Sequence, residues 1–422
     1  MTQNGLALGI DFGTTHVKAT LIDSPNLYPV RLLTRSWSEL GLDRGFLCDW
    51  FLALDRIVVE VLASNGTTGN HEKEIRAIAV SATAPTVALA DVDILMRGID
   101  AAGISPIINY DEYVPDYGND IQALDMRARK RRTEYVVAKL LPLTPSEQGG
   151  RIVVLSATGL LTWYLTGVVS IDRSSRYELG LLPDDNLVLD AHVPSVRMAC
   201  DEVVAEIRQG LSERWKLRQD TRVAAGSSDT FALAVGGALS PRKGLVCLGT
   251  FFGLLETDED MSRTRGYDAP GDPYRWHVSS PIGSTIERVA SSWYPFESDT
   301  GRRIGLFLNA ARESWHLRRG NEISYRPWRN NSSVRELPTV VRSEGTTSIG
   351  QVGLSLLTNF ATALEEGVQG LALDELVVAG GLCRYEWLVS YIEKCSGLSF
   401  ETKRRTWAAE GAAVLAARAC VN

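Results

Sequence analysis

The segment LALGIDFGTTHVKATLID, residues 6–23, carries the strongest structural signal in the chain. Two runs rich in apolar and β-branched residues, 6–10 and 17–22, predict two short strands. Gly13, between them, predicts a tight reversal. Asp11 stands at the end of the first run, so a carboxylate is placed where a buried strand meets a Gly-Thr-Thr turn. The pattern therefore predicts a β-hairpin with an acidic residue beside its turn.

The turn of this hairpin offers groups that suit phosphate oxygens. Its backbone N–H groups and the hydroxyls of Thr14 and Thr15 can all donate hydrogen bonds to an anion. The segment contains neither a GxxxxGK[ST] phosphate loop nor a GxGxxG dinucleotide fingerprint. A carboxylate beside phosphates would repel them unless a cation lay between, which makes Asp11 a candidate direct or water-mediated ligand of Mg²⁺. The alternative is a DxG turn that only closes a hairpin.

A similar pattern occurs again far down the chain, in GLVCLGTFFGLLETD at residues 244–258. This segment again has an apolar run, a Gly249-Thr250 turn and a second apolar run. The echo predicts a duplicated domain, with one such hairpin on each side of a cleft. Cys247 stands where the first copy has Asp11, so the two halves are not chemically equivalent.

Two further turns are candidates for chemistry. GSSDT, at residues 226–230, puts a second carboxylate, Asp229, in a glycine-containing turn between a predicted strand and a predicted helix. An acid in such a turn can equally be a helix N-cap. Gly380 and Gly381 end another predicted strand, where a flat base could approach a backbone that has no Cβ.

The order of predicted elements gives the fold class. Strands alternate with helical patterns, such as the one that ends at Gly167, and this predicts an α/β protein. A chain of 422 residues exceeds one ordinary core, so two domains are expected. The basic run at residues 127–132, RARKRR, fits an anion-binding patch or a solvated helix face, and we expect the latter.

Composition excludes several function classes. The net charge is −7, which gives no general attraction to nucleic acid, and no apolar run approaches the ~20 residues of a membrane span. The six cysteines are scattered without a CxxC pair, and the five histidines form no HExxH motif. We therefore expect a cytoplasmic protein with no nucleic-acid partner, no membrane partner and no dedicated zinc site.

Taken together, these motifs resemble those of the FGGY-type carbohydrate kinases, within the actin and hexokinase superfamily. The resemblance runs nearly end to end and rests on GIDFGTTHVKATLID (9–23), LLTWYLTGVVSIDRSS (160–175), AAGSSDTFALAVGGAL (224–239), GLVCLGTFFGLLE (244–256), LVVAGGLCRYEWLVSYIEKCSGLSFE (376–401) and WAAEGAAVLAA (407–417). The short length and PIINYDE (106–112) are most similar to the compact D-ribulose kinases of cyanobacteria and plants.

The resemblance implies two duplicated actin-like (ribonuclease H-like) ATPase domains that flank a nucleotide-binding cleft. The sugar-side domain would span residues 1–236 and be completed by the helix at 408–422, and the nucleotide-side domain would span 237–407. ATP and Mg²⁺ would be the cofactors, and a small sugar or polyol the acceptor. A monomer or a homodimer is expected.

The resemblance also assigns roles to single residues. Asp229 would be the general base, and Asp11 and Asp229 would be the residues nearest the metal. The phosphates and the nucleoside would contact Thr14, Thr15, Gly249, Thr250, Gly380 and Gly381. The acceptor would lie near Asp11, Thr15, His16, Asp229 and Thr230.

The chain departs from the family at the acceptor site. Many relatives carry a Trp-x-Asp-x-Arg motif where this chain reads IINYDEYV (107–114), which has no arginine. We expect an ATP-dependent kinase that acts on a ketopentose such as D-ribulose. The alternatives are a kinase for xylulose, a tetritol or glycerol, or an ATPase switch or ligand sensor of the same superfamily that transfers no phosphate to a sugar.

Overall fold

The structure of the 422-residue chain is a computed structural model. It describes residues 5–24, 26–63, 74–97, 103–109, 126–146, 150–249, 252–261, 266–268, 273–280, 282–316, 348–402 and 408–421. Strands and helices alternate along these residues, which confirms the predicted α/β class.

The strands are mostly short and rich in Val, Leu, Ile and Ala. They are β1 (Leu6–Phe12), β2 (His16–Asp23), β3 (Tyr28–Ser36), β4 (Ile75–Ala82), β5 (Val87–Asp91), β6 (Ile152–Ser156), β7 (Ser170–Asp172), β8 (Leu187–Val188), β9 (Ala191–His192), β10 (Val196–Met198), β11 (Val203–Glu206), β12 (Arg222–Ala224), β13 (Ser227–Ser228), β14 (Lys243–Leu248), β15 (Phe252–Glu256), β16 (Arg275–Ser280), β17 (Glu375–Ala379) and β18 (Glu401–Thr402).

The helices carry apolar faces that cover these strands. They are α1 (Leu47–Ala63), α2 (Val92–Arg97), α3 (Met126–Leu140), α4 (Ala157–Thr166), α5 (Arg173–Glu178), α6 (Gln209–Trp215), α7 (Asp229–Gly236), α8 (Ile282–Trp293), α9 (Thr300–His316), α10 (Ile349–Val368), α11 (Glu386–Ser396) and α12 (Ala408–Val421), with 3₁₀ turns at Leu141–Leu143 and Gly381–Arg384. None of the described helices combines the length and apolarity needed to cross a membrane.

The two main sheets repeat one arrangement of five strands. The first contains the order β3-β2-β1-β4-β12 and the second the order β16-β15-β14-β17-β18. In each sheet, a hairpin pairs antiparallel with a third strand on one side and parallel with a later strand on the other. The predicted duplication is therefore present strand for strand, with β1-β2 and β14-β15 as the matching hairpins.

The two sheets share an apolar cluster around α7 and α12. Its members come from both sheets and both helices, and include Ala7, Ala79, Phe231, Leu245, Val377 and Leu415. Small residues allow close approach, since a Cβ at Gly411 would lie 1.7 Å from the Ala232 carbonyl oxygen and one at Gly9 would lie 2.2 Å from the Ala409 carbonyl oxygen. The last helix of the chain therefore packs against the first sheet.

One expectation for the basic run at 127–132 is wrong in part. Arg129 is 2% exposed and Arg132 is 1% exposed, so neither belongs to a solvated face. Both lie on the side of α3 that also buries Val136, because residues three and four apart share a helix face. Arg129 is paired with Glu178 on α5, and this pair borders the candidate site. Another basic segment, TKRR at 402–405, for which we also expect a solvated face, falls almost wholly outside the described residues.

Candidate active site

Asp11 is buried near the end of β1, and the strand register supplies its partners. The residues directly opposite it are Lys18 on β2 and Ser81 on β4. Lys18 Nζ lies 3.1 Å from Oδ2, and the Ser81 hydroxyl donates to Oδ1 at 3.0 Å. A buried carboxylate needs such partners, because desolvation without compensation is costly. The sheet therefore holds this charge in place at one edge.

Asp229 reaches the same edge through a different strand. β13 pairs with β4 so that Ser227 lies beside Ser81, and Ser81 is in turn beside Asp11. Two strand spacings separate the strand of Asp11 from β13, which is roughly 10 Å. Asp229 follows β13 at once as the first residue of α7. The topology thus brings the two predicted carboxylates together.

The structure resolves whether Asp229 caps the helix. The N-cap of α7 is Ser228, whose side chain accepts a hydrogen bond from the Phe231 N–H at 3.2 Å. Among the described residues, Asp229 Oδ1 accepts from its neighbour Thr230, from the N–H at 2.8 Å and from the hydroxyl at 3.5 Å. Its carboxylate is therefore not committed to the cap, and its side chain stays partly accessible.

The surroundings of Asp229 favour its neutral form. Burial, together with the nearby carboxylates of Asp11 and Glu178, raises the pKa of Asp229 to about 8. Lys18 acts in the opposite direction, as does the hydrogen bond from Thr230. A carboxyl group with a pKa near physiological pH can exchange a proton with a bound hydroxyl group, which is the property a general base needs.

The turn of the first hairpin is fixed by local hydrogen bonds. The Gly13 N–H donates to the His16 carbonyl at 3.0 Å, and Trp37 Nε1 donates to the Gly13 carbonyl at 3.0 Å. Thr15 Oγ1 lies 2.8 Å from His16 Nδ1. Burial lowers the pKa of His16, and the nearby Lys18 lowers it as well. Thr14 and Thr15 lie at the tip between the two strands, where the sequence places them.

The second hairpin and the glycine pair lie at the corresponding edge of the second sheet, where β14 and β17 end. Gly380 follows β17 with φ of +122°, and a Cβ there would lie 2.4 Å from the Leu248 carbonyl oxygen. A Cβ at Gly381 would meet nothing within 4 Å among the described residues, so that backbone is open. Gly249 ends the described part of the first strand of this hairpin, and Thr250 lies outside the described residues.

Charges link the two edges. Arg384, in the turn after Gly381, lowers the pKa of His16, and Asp299, at the start of α9, raises it. Both residues belong to the second half of the chain, whereas His16 belongs to the first hairpin. Charges of the second half of the chain therefore lie close enough to the first hairpin to act on its histidine.

A small pocket lies between the loop that follows β4 and the helices α4 and α5. Its described lining consists of Ala82, Thr83, Ala84, Pro85, Thr86, Ser156, Ala157, Thr158, Ser175, Glu178 and Leu179. Thr158 Oγ1 donates to the Ser227 carbonyl at 2.9 Å, which ties the pocket wall to the strand that precedes Asp229. Tyr110, Asp111 and Glu112, in the segment that differs from the family's acceptor motif, lie outside the described residues.

Sequence reasoning missed one member of the site. Glu178 lines the pocket, influences Asp229, and pairs with Arg129 at 2.5 Å. Glu178 could have been identified only if α5 had been expected to be buried. A segment as polar as RSSRYE gives no sign in the sequence that it is buried.

Comparisons with known proteins bear on the fold. No protein-family model matches the sequence, and no curated protein matches it significantly. Solved structures do match over nearly the whole chain. A xylulose kinase from Brucella ovis has a TM-score of 0.68 at 18% identity, covering 99% of this chain and 90% of that one. A gluconate kinase from Lactobacillus acidophilus has a TM-score of 0.67 at 13% identity, with 99% and 90% covered.

A glycerol kinase from Plasmodium falciparum, solved with ADP, has a TM-score of 0.63 at 11% identity and covers 98% of this chain and 89% of that one. Identities this low carry the fold and leave the chemistry to be argued from the site itself. The chain has the duplicated, actin-like α/β ATPase fold of these sugar kinases.

Proposed function

We propose that the protein is an ATP-dependent kinase that transfers the γ-phosphate to a hydroxyl of a small neutral sugar or polyol. The observation that carries the proposal is Asp229, a carboxyl group with its pKa raised to about 8, which lies at the same edge of the first sheet as Asp11 and directly after β13, whose partner Ala82 lines a small pocket. A base at this position can take the proton of a hydroxyl group held in the pocket. The fold shared with solved sugar kinases supports the same reaction.

In this proposal the hairpin turns hold the phosphates. Thr14 and Thr15 donate from the first turn, and Gly249 and Thr250 from the second. Gly380 and Gly381 give the nucleoside a backbone free of side chains. Phosphoryl transfer depends on in-line positioning and charge stabilisation more than on covalent catalysis by the protein. One base and these hydrogen-bond donors are therefore sufficient for the reaction.

The acidic groups of the site fit a magnesium ion carried by the nucleotide. Asp11 and Asp229 are two carboxylates at one sheet edge, and the described residues contain no cluster of three or more metal-binding side chains. Mg²⁺ at phosphate sites is bound through one or two carboxylates, with water and phosphate oxygens completing its shell. When bound, it would neutralise charge on the transferring phosphate. Asp11, already oriented by Lys18 and Ser81, would face it directly or through water.

The pocket supports a small acceptor. The loop Ala82–Thr86 offers methyl groups and hydroxyls, and the acceptor would lie between it and Asp229, near Thr230 and His16. D-ribulose is the leading candidate, with xylulose, tetritols and glycerol as the alternatives. An ATPase switch of the same superfamily is the competing function, and the pocket beside an uncommitted base favours the kinase.

The proposal extends to the organisation of the chain. The sugar-side domain comprises residues 1–236 with the helix at 408–422, and the nucleotide-side domain comprises 237–407. The packing of α12 against β1 and α7 supports this division. We propose a cytoplasmic enzyme that is a monomer or a homodimer.

A coupled assay of ADP release tests the function. Pentuloses, aldopentoses, tetritols, glycerol and gluconate are supplied one at a time with Mg-ATP, and Asp229→Asn is the matched inactive control. A hydrogen bond contributes roughly 1–3 kcal/mol, so the true acceptor should exceed its epimers by about ten-fold or more in kcat/KM. Preference for gluconate, or for glycerol over every pentulose, would contradict the acceptor class. ADP release that ignores every acceptor would favour the switch.

A further inference from the structure

Glu178 contributes a charged side chain to the described lining of the pocket. Among the described residues that line the pocket, Glu178 is the only one that ionises, and the others contribute methyl groups, hydroxyls and backbone. Glu178 is 3% exposed, so its carboxylate acts in a setting where water screens little. The charge of Glu178 should therefore affect which acceptors can bind in the pocket.

The carboxylate of Glu178 is fixed from two sides. Arg129 Nη1 donates to Oε2 at 2.5 Å, and the Tyr274 hydroxyl donates to Oε1. The Arg129 guanidinium also lies 4.5 Å from the centre of the Tyr177 ring. Ion pairs with this geometry orient a carboxylate firmly, because donor and acceptor are both held by buried elements.

Each carboxylate oxygen has two lone pairs, and these contacts use one on each. The remaining lone pairs can accept a hydrogen bond from an alcohol hydroxyl. A carboxylate on the acceptor could not donate to them and would be repelled in a pocket of low dielectric. Arg129 offers no free attraction for such an anion, since Glu178 already balances its charge.

The same group is connected to the base. Tyr274 Oη lies 3.4 Å from Ser228 Oγ, and Ser228 is the N-cap of the helix that starts with Asp229. Glu178 also acts on Asp229 electrostatically, together with Asp11 and Lys18. A hydroxyl held by Glu178 would thus place a neighbouring hydroxyl of the same molecule towards Asp229.

We propose that Glu178 is the specificity-determining residue of this pocket: it accepts a hydrogen bond from an acceptor hydroxyl and excludes acceptors that carry a carboxylate. The inference rests on the proposed kinase function and goes further by assigning the selection of neutral polyols to one side chain. Arg129 and Tyr274 are positioning residues, because they hold the Glu178 carboxylate.

The test is Glu178→Gln, which keeps the shape of the side chain and removes its charge. The KM for the neutral acceptor should rise about ten-fold or more, as expected for the loss of a charge-assisted hydrogen bond, while the KM for ATP stays within two-fold. Turnover of gluconate relative to the neutral acceptor should rise by about ten-fold, because the carboxylate that repels it is gone.

Glu259→Gln is the matched control. Glu259 is a buried carboxylate that pairs with another residue of α5, Arg173, at 2.6 and 2.8 Å, but it does not line the pocket. This variant should lose comparable thermal stability and keep the wild-type KM values. If Glu178→Gln does not fold, Tyr274→Phe removes one holder of the carboxylate and should raise the acceptor KM by about three- to ten-fold.

Calorimetric titration of the neutral acceptor and of gluconate into each protein gives a readout apart from turnover. A wild-type enzyme that phosphorylates a polyol, with variants of Glu178 or Tyr274 that keep its KM and still exclude gluconate, would overturn this inference alone. A wild-type protein that neither binds nor phosphorylates any sugar would overturn the proposed function and the inference together.

Discussion

Asp229→Asn is the perturbation that separates catalysis from structure at the candidate site. Asparagine keeps the size of the side chain and can still accept from the Thr230 N–H, now 2.8 Å from Oδ1. It cannot take a proton. General-base catalysis contributes ~10²–10⁴-fold, so kcat should fall by that factor while nucleotide affinity changes only a few-fold.

The raised pKa adds a second, independent consequence for stability. The pKa of Asp229 rises from an ordinary 3.8 to about 8 in the folded protein, chiefly through burial. A carboxyl group shifted in this direction favours the fold fully below the unfolded pKa, and that contribution is lost as the pH rises through the folded pKa. At ~1.4 kcal/mol per pKa unit the ceiling is about 6 kcal/mol, and partial exposure reduces the expected effect to about 1–3 kcal/mol.

Thermal unfolding at pH 5, 7 and 9 measures this effect. Asp229→Asn should be more stable than the wild type at pH 9, and the advantage should shrink towards pH 5. Ser228→Ala is the contrasting variant, because loss of the true N-cap should lower stability by ~1 kcal/mol at every pH. The wild-type kcat/KM should rise about ten-fold per pH unit and level off near pH 8.

Two results would refute the reasoning. Near-normal turnover in Asp229→Asn would show that this carboxylate is not the base. A variant that gains no stability between pH 5 and pH 9 would show that the folded protein does not disfavour the charged form of Asp229.

Three further predictions follow from the same site. Asp11→Asn should raise the half-saturating Mg²⁺ concentration of turnover several-fold, because the cation loses a carboxylate, and an unchanged titration curve would contradict this. Gly380→Ala should lower stability by ~1–3 kcal/mol, because its φ is +122° and a Cβ there would clash with the Leu248 carbonyl. Gly381→Ala should leave stability unchanged and weaken ATP binding. Equal losses of stability in the two variants would refute this distinction. Small-angle X-ray scattering should show a more compact particle with a non-hydrolysable ATP analogue and the acceptor, and identical profiles in all ligand states would argue against closure.

Sequence patterns predicted the hairpins and one helix correctly, because these elements are determined by residues close together in the chain. Apolar runs on either side of a glycine-containing turn predicted the hairpins, now β1-β2 and β14-β15. Helical periodicity and a terminal glycine predicted α4, which ends at Gly167 in the left-handed conformation. Both signals depend on residues a few positions apart, so single-sequence reasoning can see them.

The pocket beside β4 could not be predicted in the same way. Its lining residue Glu178 is held by Arg129 and Tyr274, and the three residues come from distant segments. Arg129 belongs to a basic run that looked solvated, and its burial makes sense only once α5 supplies a carboxylate opposite it. The sequence also allowed Asp229 to be a helix N-cap, and the structure gives that place to the adjacent Ser228, because Ser and Asp are both good caps and only the backbone geometry separates them.

The duplication explains the fold of the chain but not the chemistry of its cleft. Cys247 occupies the position of Asp11 in the second hairpin, and its cross-strand neighbours are Gly253 and Ala379, which offer no side-chain donor. A carboxylate there would be buried without the partners that the first sheet gives to Asp11, and such a charge would destabilise the fold. Burial instead raises the pKa of the Cys247 thiol, which stays neutral. A buried charge requires changes on both adjoining strands at once, and for that reason the second copy has a neutral residue at the position of Asp11.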